Sequence, residues 1–400
     1  MIQELKFKNF LSFRDEAVFS FEPTKDEPAN RVAVMKDGTK LLRFAVIFGA
    51  NASGKSNFLE AIDFLRQFWT WVPSRNDLST RVVPFLLDKN TPSEDTSFEM
   101  RFYVDNVRYW YKLSLNKERV SSESLYFYDS VQPTRIFSRE YVDGQSIVKF
   151  NPAAVKLKAA EIDAINLNCW KNMSFFASMT KVNMSIDKVS DVIRWINEKL
   201  MPGINRSTEL SIFAKEKMLK DEDFRNYLTS FIKTADLRIS DVEVRETVSD
   251  IDTGFRVRVK NSRGEEEYIL PENRQSSGTT RVIEIESAIY TAIREQAFLP
   301  VDEIESSLHP ALLDFVLNEF LKVNDNNRSQ LLVTTHYDPL LDSLDVNDLF
   351  GKDSVWFTEK KEDGNTELYP LTDFKGLGKL SSIRKSYKNG QFGAVPEIYI

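Results

Sequence analysis

Residues 49–56 read Gly49-Ala50-Asn51-Ala52-Ser53-Gly54-Lys55-Ser56. They match G-x-x-x-x-G-K-[ST] at every fixed position. Glycines let the backbone curl so that successive N–H groups converge on phosphate oxygens. The helix N-terminus that must follow adds partial positive charge. In that chemistry the loop through Asn57 cradles a nucleoside triphosphate. Lys55 bridges the β- and γ-phosphates, and the Ser56 hydroxyl ligates Mg²⁺. The flanks supply the needed elements. Leu41 to Phe48 is a buried-strand pattern whose end is apolar on consecutive positions. Phe58, Ile62, Leu65 and Trp69 then share one helix face. Without those flanks, the same residues would be a glycine-rich turn with a solvated lysine.

A phosphate loop needs a second strand that brings a carboxylate to the metal. "FLPVDEIESSLHP" offers one. Asp302 would hold Mg²⁺, and Glu303 would orient or deprotonate the attacking water. The alternative is an acidic capping turn ahead of a helix starting at Pro310. Pro300 is awkward here, because proline cannot donate in a central strand. The chain has two histidines, His309 and His336. His336 ends the strand-like "LLVTT", on the side where ligands bind in open α/β sheets. His309 reads as a capping residue before Pro310.

The remaining elements frame these residues. "IQELKFKNF" alternates like a half-buried strand. From Phe98 to Phe150, short aromatic and β-branched runs predict an antiparallel meander. Pro152 to Asp236 is mostly helical, with Pro202-Gly203 ending one helix. Strands return at "DVEVRETV", "FRVRVKN" and "EEEYIL", the last two joined by a turn at Arg263-Gly264. Helix and strand then alternate, and "SVWFTE" and "TELYP" read as a hairpin. The chain divides into 1–150, 151–237 and 238–400, the middle stretch being a helical insertion.

Composition narrows the class. At 42% hydrophobic and 28% charged, the 400 residues can bury a sizeable core. A single cysteine, Cys169, excludes a disulfide framework and fits a reducing cytoplasm; it reads as a core residue. No apolar run approaches the ~20 residues that span a bilayer. No secretory signal is expected at the N-terminus. A net charge of −7 argues against coating the whole surface with nucleic acid but leaves room for a local patch. Lys375, Lys379, Arg384, Lys385 and Lys388 form a C-terminal basic stretch, either solvated or a docking patch for a partner or nucleic acid.

The order of phosphate loop, long insertion, "SSGT", "DEIESSLHP" and "TTH" resembles the ABC-type ATPase heads of SMC, RecF and OLD proteins. "FGANASGKSN", "VDEIESSLHP" and "SYKNGQFGAVP" are similar to the stand-alone AAA-type ATPases of bacterial abortive-infection systems, the AbiL/RloA group. The resemblance implies an α/β fold: a P-loop NTPase with an ABC-ATPase head, having a mixed central sheet and an antiparallel β lobe, plus a helical insertion. It implies ATP and Mg²⁺ as ligands. Ser276, Ser277 and Gly278 sit where the ABC signature contacts ATP bound by an opposite subunit. Ser306, Ser307 and Leu308 resemble the D-loop, and His336 the switch histidine. Ser12 and Arg14 follow the first strand, in a loop that approaches the nucleotide in similar heads; Arg14 is equally well a solvated arginine. No convincing Q-loop glutamine stands out, since Gln67 lies inside the first helix. The resemblance implies a cytoplasmic homo-oligomer, an ATP-dependent dimer or higher, acting on a separate effector in anti-phage defence, with DNA or RNA as a further partner. Only about 60 residues follow His336, too few for a further effector domain of typical size. A RecF- or SMC-like DNA-repair ATPase is the alternative, and an ATP-binding scaffold without turnover a third reading.

Overall fold

The computed structural model describes residues 1–396, apart from 26, 29, 75–76, 235–238, 247–250, 262–263, 272–276, 307, 309, 324–325 and 346–348. The chain opens with β1 (Ile2–Lys8), β2 (Ala17–Ser20), β3 (Val32–Val34), β4 (Lys40–Leu42), β5 (Phe44–Phe48) and α1 (Lys55–Thr70). The meander follows as β6 (Thr96–Val104), β7 (Val107–Leu115), β8 (Val120–Tyr128), β9 (Pro133–Val142) and β10 (Gln145–Phe150). Helices α2 (Ala159–Asn168), α3 (Phe175–Met179), α4 (Asp187–Lys199), α5 (Ser211–Lys220) and α6 (Glu222–Thr234) come next. Then come β11 (Ile239–Glu246), β12 (Ile251–Asn261), β13 (Gly264–Pro271), α7 (Ser277–Glu295), β14 (Phe298–Val301), α8 (Pro310–Lys322) and β15 (Gln330–Thr335). The chain closes with α9 (Asp342–Asp345), β16 (Val355–Lys360), β17 (Thr366–Pro370) and α10 (Ile383–Lys388).

Two sheets dominate. One is antiparallel, in the order β10-β9-β8-β7-β6-β1-β2. The predicted meander is therefore extended at one edge by the N-terminal hairpin. The other has the order β14-β15-β5-β16-β17. Its first four strands are parallel, and β17 returns antiparallel as the predicted hairpin. Strand β5 is buried at all five positions because it has a neighbour on both sides and side chains packed on both faces. Gln330 ties the sheets together. Its amide accepts from Ile2 N at 2.6 Å and donates to Ile2 O at 2.8 Å, imitating a strand partner.

The edge position of β14 resolves Pro300. Its carbonyl accepts from Ile204 N at 3.0 Å, so its peptide groups face the 200–204 segment rather than β15. The absent N–H therefore removes no bond from the parallel ladder. Helix α4 ends before Pro202, and the residues after it lie alongside this edge.

The helices at 159–234 divide between two cores. Trp195 of α4 stacks on Phe102 of β6 at 4.6 Å, and Phe175 of α3 meets Phe137 of β9 at 3.9 Å. On the other side, Phe224 and Tyr227 of α6 pack on Tyr290 of α7 at 5.0 and 4.8 Å. Burying each such aromatic contributes about 2–3 kcal/mol. Cys169 is 2% exposed, a core residue whose thiol pKa burial pushes up. The arginines of "FRVRVK" and the turn at Arg263 lie outside the described residues or side chains.

Candidate functional site

Strand β5 delivers the chain into the loop, and α1 begins at Lys55. Gly54 has φ +108°, a conformation open to glycine, and a Cβ there would stand 2.5 Å from Thr366 Oγ1. A Cβ on Gly49 would stand 2.5 Å from Ser53 Oγ and 2.6 Å from the Thr358 carbonyl. The loop thus needs both glycines because neighbouring chain crowds it. Its walls are hydroxyls from the hairpin. Ser53 Oγ lies 2.7 Å from Thr358 Oγ1, and Thr366 Oγ1 donates to the Ser53 carbonyl at 3.0 Å. Ser12 closes the cluster, 2.9 Å from Thr366 Oγ1 and accepting from Asn57 Nδ2 at 2.8 Å.

The carboxyl ends of β14 and β15 meet this loop. Ser56 Oγ donates to Asp302 Oδ2 at 2.7 Å. The other Asp302 oxygen accepts from Thr334 Oγ1, and that hydroxyl also accepts from Glu303 N at 2.9 Å. Glu303 has φ +47°, a left-handed backbone that costs a non-glycine residue about 1 kcal/mol or more. The Thr334 contact and a bond from Ile304 N to the Thr334 carbonyl at 3.2 Å hold it there. Lys55 is 5% exposed, and its Nζ donates to the carbonyls of Gly49 and Ala50 at 2.9 and 3.0 Å. Burial draws its pKa below the ordinary lysine value, against the opposing fields of Glu303, Asp302 and Glu305.

His336 follows β15 and faces a cavity of about 700 Å³ with Gly49, Ala50, Asn51, Ala52 and Ser53. Its far wall comes from Lys388 and the 394–396 segment, so the C-terminal motif reaches the loop. Glu305 is a residue the sequence reading passed over. Its Oε1 accepts from the backbone N of His336 at 2.9 Å and lies 2.8 Å from Nδ1. Thr334 was likewise unassigned. Its only sequence signal is a hydroxyl at the end of an apolar strand.

Other expectations fall elsewhere. Arg14 pairs with Asp363 at 2.6 Å and Asp15 at 3.1 Å at an exposed position. Arg384, within the basic stretch, pairs with Asp338 and Asp342 at 2.6 and 2.7 Å, which reduces the net charge of that patch. Ser277 is the first residue of α7 and Gly278 the second, on a helix that packs against α5, α6 and α8. Gly278 is not among the residues lining the cavity beside the loop. Ser306 and Leu308 form the turn after Glu303, with Ser306 N bonded to the Glu303 carbonyl at 2.8 Å and Leu308 packed on the second core. Ser276, Ser307 and His309 lie outside the described residues. Among the described residues, no helix is long and apolar enough to cross a membrane.

The donor set fits a magnesium–triphosphate group. A hydroxyl and a carboxylate already meet at 2.7 Å beside a lysine, and the glycine cradle is one a Cβ would fill. Residues 44–343 match the family model described as "AAA domain, putative AbiEii toxin, Type IV TA system". No curated protein matches the chain. Solved structures similar to it include the SMC head domain from Thermotoga maritima, 14% identical with a TM-score of 0.41, covering 92% of this chain and 98% of that one. Another is an Smc head with an extended coiled coil, bound to the C-terminal domain of ScpA and derived from Pyrococcus furiosus. It is 13% identical with a TM-score of 0.46, covering 98% and 99%. Since the family model spans well over half of the chain, and a strand–loop–helix bearing the phosphate-loop motif stands at Phe44–Thr70, the chain belongs to the family of AAA domains described as putative AbiEii toxins of type IV TA systems.

Proposed function

We propose that the chain hydrolyses ATP between two copies of itself and that hydrolysis gates a separate effector in anti-phage defence. One observation carries the hydrolytic part. Ser56 and Asp302, 246 positions apart, meet in a hydrogen bond beside Lys55 and Glu303. Gly49 to Asn57 would hold the triphosphate, and Ser56 and Asp302 would hold Mg²⁺. When bound, that ion supplies charge neutralisation at the β- and γ-phosphates. Glu303, fixed through its N–H on Thr334, takes the proton of the attacking water, and Lys55 balances charge on the transferred group. His336 reads the γ-phosphate from the loop's flank.

The same reading gives Ser277 and Gly278 a role across a dimer interface. They begin α7, and Gly278 is not among the residues lining the cavity that holds Gly49 to Ser53. A second copy would bring its own α7 start to that cavity. The head would be the stretches 1–150 and 238–400, with 151–237 as the helical insertion between them. The defence setting is supported by the family description, which names a putative toxin of a toxin–antitoxin system. A cytoplasmic setting agrees with it.

Glu303→Gln tests the core of this reading. Phosphate release should fall by at least about 100-fold, while light scattering should show an ATP-dependent dimer. Normal turnover in the variant would remove Glu303 from the role of base.

A further inference from the structure

We propose that Glu305 is a positioning residue, which fixes His336 as the Nδ1-protonated tautomer and leaves Nε2 for the phosphate side. Its use in turnover rests on the ATP-hydrolysis reading above, but the tautomer does not. A single oxygen, Glu305 Oε1, meets His336 twice, as acceptor of its backbone N–H and in close contact with Nδ1. The backbone N–H comes at 2.9 Å and Nδ1 at 2.8 Å. The backbone bond anchors the residue to the carboxylate, and the Nδ1 contact limits the rotation of the ring. A carboxylate accepts only, so Nδ1 must carry the proton. The imidazole is then left with Nε2, either as a bare acceptor or, once the ring takes a second proton, as a donor to an anion.

The surroundings make this arrangement stiff. Glu305 is 11% exposed, and its second oxygen is buried without a partner among the described residues. The ring is 52% exposed and borders the cavity shared with Gly49 to Ser53. The carboxylate thus sits behind the imidazole and the phosphate loop in front of it. Glu305 also lies in the same turn as Glu303, with Leu308 N bonded to the Glu305 carbonyl at 2.9 Å. Whatever shifts that turn moves the proposed base and the histidine together. This is the logic by which an outer carboxylate orients a histidine that meets a ligand, and removing such a partner commonly costs 10–100-fold.

The full chain has two histidines, so long-range ¹H–¹⁵N spectra of the imidazoles, with His309→Asn for assignment, can read His336 directly. At about pH 8.5, where an ordinary imidazole is neutral, the wild type should show Nδ1–H and a bare Nε2. Glu305→Ala should return the ring toward the Nε2–H form that dominates in free histidine. Glu305→Gln, which keeps an oxygen acceptor, should retain Nδ1–H. In steady-state assays Glu305→Ala should lower kcat by about 10–100-fold with nucleotide affinity changed less than about threefold, and Glu305→Gln should recover most of the loss. A wild-type ring protonated at Nε2, or a Glu305→Ala variant with unchanged kcat, overturns the proposal. A wild type that releases no phosphate but shows the Nδ1–H ring sinks the hydrolysis reading instead and leaves the tautomer standing.

Discussion

The two large sheets treat charge in opposite ways. In the antiparallel sheet, Arg139 of β9 and Glu123 of β8 are both fully buried, 2.9 Å apart. The guanidinium also donates to the carbonyls of Met173 and Trp170 at 2.6 Å each and to Ser146 at 3.0 Å. Glu123 accepts in turn from Tyr111 and from Phe175 N. Among the described residues, only Arg139 Nε of this group lacks a partner. At the carboxyl ends of the parallel strands, the charged groups instead gather at the glycine loop. Lys55 has two loop carbonyls, and one Glu305 oxygen has no partner among the described residues. Charge answered by its own chain is structural. Charge that a loop's carbonyls answer only in part is available to a ligand.

Three experiments press on that contrast. Arg139→Met strands a buried carboxylate, so urea unfolding should report a loss of about 3–5 kcal/mol. A loss near zero would put this pair with exposed ones and end the comparison. Lys55→Ala should do the reverse. Turnover should drop about 100-fold or more, while stability changes by about 1 kcal/mol or less, since only loop carbonyls lose a donor. A large stability loss would mean that the loop depends on its lysine to fold.

The third test concerns a buried carboxylate of α7. Glu286 of α7 accepts from the Tyr227 hydroxyl through one oxygen, and its other oxygen has no partner among the described residues. Burial lifts its pKa to about 8, from an ordinary value of 4.5. The native state therefore keeps a proton that the unfolded chain releases above about pH 4.5. Stability should fall as pH rises from there to about 8, by at most about 1.4 kcal/mol per pH unit, and then level off. Glu286→Gln should flatten that slope, as read from urea midpoints at pH 6 to 9. An unchanged slope would assign it to other groups.

Local pattern made much of this protein legible. The loop Gly49 to Ser56 announces itself because phosphate binding requires glycine at fixed places and a strand and helix at its borders. The meander, the C-terminal hairpin and the helix after Pro310 follow from alternation and turn residues. What pattern could not supply is pairing across distance. Nothing local says that β1 joins the meander, that β14 is an edge where Pro300 does no harm, or that Arg14 is held by Asp363. Nor does it say that Thr334 fastens Asp302 and Glu303, or that Glu305 grips His336. Residue type and spacing determine which backbone a segment prefers, because those forces act over a few positions. Which side chains meet at the strand ends is decided only when the sheet orders its strands.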